Sequence, residues 1–426
     1  MEEIELIGID EKIYYYKTSS GLRIYMWVNK NVKSMESCLC VKYGSIHTKF
    51  KVGKKTYEVP NGIAHFLEHV KFNVSDGVTA HDIFYKLGAD SNAFTTFEYT
   101  NYYCFTTENK SKVVCELLNF VYNPFFTKKL IEKEKGIIVE EAKMGIDNSN
   151  TLMYFNSLKS ALVKSKYRNT ITGTPDDVLK ISLDDVCLVY DTFYHPENMF
   201  MVVTGSFNPY EIANVVEENL NEKEFLEYKN PLVIMNQEPK KVAKKYSEDA
   251  IKIGSTCVKM FIKMDLKRFK DYNLLELSYI TDIIFAINIG KTSEFREKLI
   301  NDGVVTTLGF DVNYYGDVFS VIISANTNFK NEFIKRINDK LNNLYVDEKD
   351  FLRKKNANLA TYILEYEDID NISLKIQDNI INFNKLITNE KEIIEKLSID
   401  DANRVLELFD FSNISVNVFK PKKNQD

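Results

Sequence analysis

Apolar residues along this chain follow two alternating periods. Residues 13–17 and 22–27 flank Ser19-Ser20-Gly21 and read as a strand pair with a tight turn. Residues 38–43, 91–95, 99–105 and 199–204 are rich in aromatic and β-branched side chains and predict further strands. Between them, helical spacing predicts helices from residue 63, then one ending near Gly88, then 111–122, 128–145, 183–192 and 209–220. Residues 221–250 carry many Lys and Glu with Pro231 and Pro239, and read as an interdomain linker with a short strand at 232–235. The order then recurs: a strand at 256–263, helices at 274–286 and 293–300, strands at 304–312 and 318–325, more helices, and a closing strand at 414–419. Two similar blocks predict an α+β protein with two α/β domains in tandem, each a mostly antiparallel sheet packed on helices. The expected division is 1–222, a linker at 223–250, and 251–426.

Composition narrows the function. The chain has 426 residues, 44% hydrophobic and 27% charged, which suits a globular protein of two or three domains. A net charge of −6 offers no basic field, so nucleic acid is not expected as a partner. The start has no basic and apolar leader, and no apolar run approaches a bilayer's thickness, so a cytoplasmic protein without membrane insertion is expected. Six cysteines are scattered without a C-x-x-C pair and read as free thiols, with Cys38 and Cys40 on one face of a strand.

The chemistry lies in His65-Phe66-Leu67-Glu68-His69. On a helix the two histidines stack on one face, and Glu68 falls about 60° away, within reach of whatever they hold. That is the inverted zinc-protease pattern, with two imidazoles for the metal and a carboxylate to activate water. The plain alternative is an amphipathic helix with a surface histidine pair and Ile63, Phe66, Leu67 and Val70 in the core. Only five histidines occur in the chain, so a chance match is expected in well under about one chain in a hundred. A catalytic zinc needs a third protein ligand. The best candidates are in residues 131–144, where Glu134 and Glu141 share a face two turns apart and Glu140 points about 100° away. Acidic clusters of this kind are usually solvated surface.

At this point the chain resembles the pitrilysin/insulinase metallopeptidases, whose H-x-x-E-H is followed by a glutamate ending an E-x-x-x-x-x-x-E helix segment. Carried over by position, the resemblance implies His65, His69 and Glu141 as ligands of one Zn2+ per chain, and Glu68 as general base. Glu134 would be an acid supporting the site or the transition state. Residues 91–103, Ser-Asn-Ala-Phe-Thr-Thr-Phe-Glu-Tyr-Thr-Asn-Tyr-Tyr, are similar to the family's substrate-strand segment, which implies Asn92 and Ala93 as the edge receiving peptide backbone. Gly173-Thr174 and 194–205, around His195, are also typical, and leave His195 a structural residue. The likeness is strongest to bacterial single-unit members that work as homodimers or as heterodimers with a homologous chain.

The resemblance implies a zinc metalloendopeptidase for unfolded or short peptides, with processing of a ribosomally made peptide among the roles that fit. One departure matters. The family's second half carries an Arg-Tyr pair that grips substrate; Arg296 matches the Arg, but Gly303 or Val304 stands where Tyr is expected. The alternative expectation is therefore a weak or inactive subunit that binds peptide or scaffolds a complex and needs a partner supplying that pair. The second block has no histidine and cannot repeat the metal site.

Overall fold

The structure is a computed structural model and describes residues 1–422, with backbone alone at Ile146. The last four residues of the expected second domain lie outside that range. Its contacts form two compact units: Met1–Lys143 with Thr170–Met235 and Ile363–Glu390, and Met144–Asn169 with Asn236–Tyr362 and the chain from Lys391 onward.

Twelve strands belong to the first unit: β1 (Glu2–Leu6), β2 (Glu11–Lys17), β3 (Arg23–Val28), β4 (Met35–Val41), β5 (Lys49–Val52), β6 (Lys55–Glu58), β7 (Asn73–Ser75), β8 (Val78–Thr79), β9 (Ala89–Thr95), β10 (Thr100–Thr106), β11 (Met199–Gly205) and β12 (Leu232–Val233). Seven of them form a sheet in the order β1-β2-β3-β11-β4-β10-β9, antiparallel except where β11 runs beside β3. The period of two explains how this sheet is covered twice. Ile24, Met26, Met199, Met201 and Val203 face one core, which holds the helix Ile63–Lys71. Tyr25, Trp27, Cys38, Cys40, Phe200 and Val202 face the other, under the helix Ile369–Phe383. That second helix comes from late in the chain, yet it packs on β4 and β11. Among the described residues, β9 ends the sheet and pairs only with β10, in the register Ala93↔Tyr102 and Thr95↔Thr100.

The second unit has a five-stranded sheet, β13-β17-β14-β16-β15, built from β13 (Tyr246–Ile251), β14 (Cys257–Asp265), β15 (Thr307–Tyr315), β16 (Val318–Asn326) and β17 (Ile414–Pro421). Its neighbours are antiparallel apart from β13 and β17. The helix Ser149–Ala161 packs on β14 and β17. All of β13 but its last residue lies within the stretch read as linker. Its adjacent charges, Glu248 and Asp249, hide a strand with one buried residue, Ile251. Nearby, Glu238 and Lys263 form a fully buried ion pair at 2.7 Å.

Candidate metal site

The helix Ile63–Lys71 starts because Gly62 adopts φ +84°, a left-handed turn open to glycine. It also passes so close to the backbone at Thr172 and Gly173 that a Cβ on Gly62 would sit 2.3 Å from the Thr172 carbonyl oxygen. Ile63, Ala64, Phe66, Leu67 and Val70 are buried, and each large one contributes roughly 1.5–3 kcal/mol by leaving water. At the far end, the buried Lys71 ammonium donates to the Asn123 carbonyl at 3.0 Å and sits over the Tyr190 ring at 5.3 Å. Anchored at both ends, the helix turns His65 and His69 to its opposite face, with ring centroids 4.6 Å apart.

Glu141 reaches them from the helix Lys128–Asp147, with Oε1 3.4 Å from His65 Nε2 and Oε2 3.3 Å from His69 Nε2. Each residue offers a donor atom within 4.8 Å of the other two, and this is the only such group among the described residues. Four-coordinate zinc with bonds of about 2.0–2.1 Å separates its donors by about 3.3–3.4 Å. Each histidine stands at about that distance from one of the two Glu141 oxygens, and the three side chains are of the types zinc takes, so they fit the ion. His65 Nδ1 is buried without a protein partner, which leaves Nε2 as the nitrogen that fixes this ring. Hydrogen bonds from His65 and His69 hold the Glu141 carboxyl well below the usual carboxylate range. Burial lowers His69, but Glu141 and Glu68 outweigh it, and its net shift is upward.

Glu68 is buried beside the pair, and its Oε2 accepts a 2.5 Å hydrogen bond from Thr95 Oγ1. Glu134 is buried too, with Oε1 3.5 Å from Asn73 Nδ2, and Asn73 also reaches the His69 and Val70 carbonyls. Glu140, by contrast, is exposed and paired with Lys143 at 2.6 Å. Asn92 and Ala93 lie on β9, where Asn92 is exposed and Ala93 half-buried. Thr95 falls in the segment 91–103 and had no expected role. The signal was strand alternation, which turns Thr95 to the same face as Ser91 and Ala93, toward the motif helix.

Arg296 lies in the second unit and is not part of this group. Its guanidinium donates to the Leu308 carbonyl at 3.3 Å and the Lys291 carbonyl at 3.2 Å. Gly303 ends that helix, Glu294–Asn301, at φ +70°. Its N–H bonds the Ile300 carbonyl, and the Val304 N–H bonds the Leu299 carbonyl. This is the helix stop that favours glycine, and a tyrosine there would be strained. His195 caps the turn Pro196–Asn198 through Nδ1 and stacks on Tyr228.

One of the two sheet-and-helix units thus bears a helix-borne histidine pair and a carboxylate from a second helix, a donor set of the kind zinc proteins use. The comparisons give the family. Residues 27–175 match the profile of Insulinase (Peptidase family M16), and 180–358 that of the Peptidase M16 inactive domain. The uncharacterized zinc protease YmfH of Bacillus subtilis (strain 168) is 34% identical over 328 residues, 76% of this chain and 76% of that one. The zinc protease PqqE of Helicobacter pylori is 24% identical over 302 residues, 67% of this chain and 66% of that one. A crystal structure assigned to an M16-like peptidase of Alicyclobacillus acidocaldarius has the same fold, with a TM-score of 0.91 over 97% of this chain and 99% of that one at 24% identity. Pitrilysin gives 0.76 at 16% identity, covering 99% of this chain and 46% of its own. The chain belongs to the insulinase family of peptidases. The profile named inactive covers much of the histidine-free second block. No described helix is long and apolar enough to cross a membrane.

Proposed function

We propose that this chain is a zinc metalloendopeptidase that cuts unfolded or short peptides, with His65, His69 and Glu141 as ligands of a single zinc. The observation that carries this reading is the convergence of two imidazoles and a carboxylate, with one donor atom of each within 4.8 Å of the others and a buried carboxylate beside them. Bound there, zinc would lower the pKa of a water and polarise a peptide carbonyl. Glu68 takes the proton of the attacking water and passes it to the leaving nitrogen. Glu134 adds a buried acid close enough to His69 to act on it electrostatically. The free edge of β9 receives the peptide as an added strand at Asn92-Ala93, which favours extended, unfolded substrates. Processing of a ribosomally made peptide and action in the cytoplasm belong to the same proposal.

A second observation favours dependence on a partner. Arg296 is engaged with two backbone carbonyls, and Gly303 occupies a backbone conformation unsuited to tyrosine. We propose a homodimer, or a heterodimer in which a homologous chain supplies the Arg-Tyr pair. Digestion of an unstructured peptide library, by the zinc-loaded chain alone and with candidate partner chains, tests both readings. Cleavage that disappears in Glu68→Gln supports the peptidase. Hydrolysis that persists in Glu68→Gln contradicts the role of Glu68.

A further inference from the structure

We propose that Thr95 is a positioning residue: its hydroxyl fixes the Glu68 carboxylate by Oε2 and leaves Oε1 to take the proton of the attacking water. This deepens the reading of Glu68 as base and rests on it.

The geometry settles where the hydroxyl proton goes. Thr95 Oγ1 has two polar neighbours, Glu68 Oε2 at 2.5 Å and Thr100 Oγ1 at 3.5 Å. Thr100 spends its own proton on the Tyr43 carbonyl at 3.0 Å. Thr95 Oγ1 therefore has one acceptor at hydrogen-bonding distance for its proton, and it donates to Glu68 Oε2. At 2.5 Å this contact is at the short end of O–H···O bonds.

The support behind that bond is rigid. Thr95 is β-branched, so few rotamers are open to it, and it is paired with Thr100 across an antiparallel ladder. Both Thr95 and Glu68 are buried. Glu68 itself has a long side chain and would otherwise be free to turn about its last bonds. With Oε2 held by a donor, Oε1 keeps both of its acceptor sites and is the oxygen assigned to the new proton. The proton leaves the water oxygen, forms the Oε1–H bond, and later moves to the leaving nitrogen, so the carboxylate is regenerated.

The same strand joins base and substrate. Asn92 and Ala93 lie just before Thr95 on β9, the strand whose outer edge is unpaired. A peptide added to that edge is set in register against the residue that holds the base.

The test compares zinc-loaded Thr95→Val, Thr95→Ala and Thr95→Ser with wild type and Glu68→Gln. Three quantities are read: zinc affinity by chelator competition, kcat and KM on an unstructured peptide, and the Glu68 rotamer in crystals. We expect Thr95→Val and Thr95→Ala to lower kcat on the order of 10- to 100-fold, with KM and zinc affinity nearly unchanged. Thr95→Ser should restore kcat, and only in the Val and Ala crystals should the carboxylate leave its position. An unmoved Glu68 carboxylate in those crystals overturns the proposal, even for a chain that is inactive alone. So does wild-type kcat in Thr95→Val or Thr95→Ala, or a Thr95→Ser that fails equally. Hydrolysis surviving in Glu68→Gln would instead overturn the base reading, while the crystals still decide whether Thr95 holds the carboxylate.

Discussion

His65 and Glu141 meet through Nε2 and Oε1 at 3.4 Å although they stand on different helices far apart in the chain. The neighbouring carboxylate, Glu140, faces solvent with Lys143. Adjacent residues on one helix thus separate a candidate ligand from a bystander. Glu141→Gln should weaken zinc binding by at least about 100-fold, whereas Glu140→Gln should change it by less than about 2-fold. Isothermal titration with a zinc buffer measures both. Equal losses would mean that the helix presents a different carboxylate.

Gly62 fixes where the motif helix begins. Alanine there would need a strained φ and a Cβ 2.3 Å from the Thr172 carbonyl oxygen. Gly62→Ala should cost about 2 kcal/mol or more and weaken zinc as well, because the first turn of the helix must shift. Thermal unfolding with and without zinc reads both effects.

The buried pair in the second unit predicts a large stability effect. Glu238 accepts from the backbone N–H groups of Val163, Lys164 and Ser165 at 2.6, 2.7 and 2.7 Å. Lys263 donates to Glu238 and to the carbonyls of Ala161 and Lys241. Lys263→Met leaves a carboxylate buried without its counter-charge and should cost about 3–5 kcal/mol in urea unfolding. Adding Glu238→Gln should recover part of that loss; a wild-type midpoint in Lys263→Met would contradict the burial.

Glu36 predicts a pH dependence. Burial raises its carboxyl from 4.5 to about 7, and Asp370 adds to the rise, against hydrogen bonds from Ser373, Cys38 and Thr204. The folded state therefore keeps a proton that the unfolded chain releases. The resulting stabilisation is fully present below pH 4.5 and is lost as pH rises to about 7, roughly 3 kcal/mol in all. Glu36→Gln should flatten that slope in unfolding measured between pH 5 and pH 8. Parallel slopes for the two proteins would show that Glu36 is ionised throughout.

Much of this was legible in the sequence because it is local. The strands at 22–27 and 199–204 announce themselves as apolar runs, and both of their faces are buried. The spacing of His65, Glu68 and His69 already puts them on one helix. What stayed hidden depends on the partner surface. β1 and β6 are largely exposed, with charged residues among them, so they carry little hydrophobic pattern. The helix Ile369–Phe383 is visibly amphipathic, but nothing in its order along the chain tells that it covers β4 and β11. The hydrogen bond from Thr95 to Glu68 requires the β9 register, which periodicity alone does not supply.

The most direct test of the zinc assignment is anomalous diffraction at the zinc edge from crystals of the zinc-loaded chain. The expected result is a single peak about 2.0–2.2 Å from His65 Nε2, His69 Nε2 and a Glu141 oxygen, with Glu68 alongside but not bound. A peak held by other residues, or none at this cluster, would contradict it.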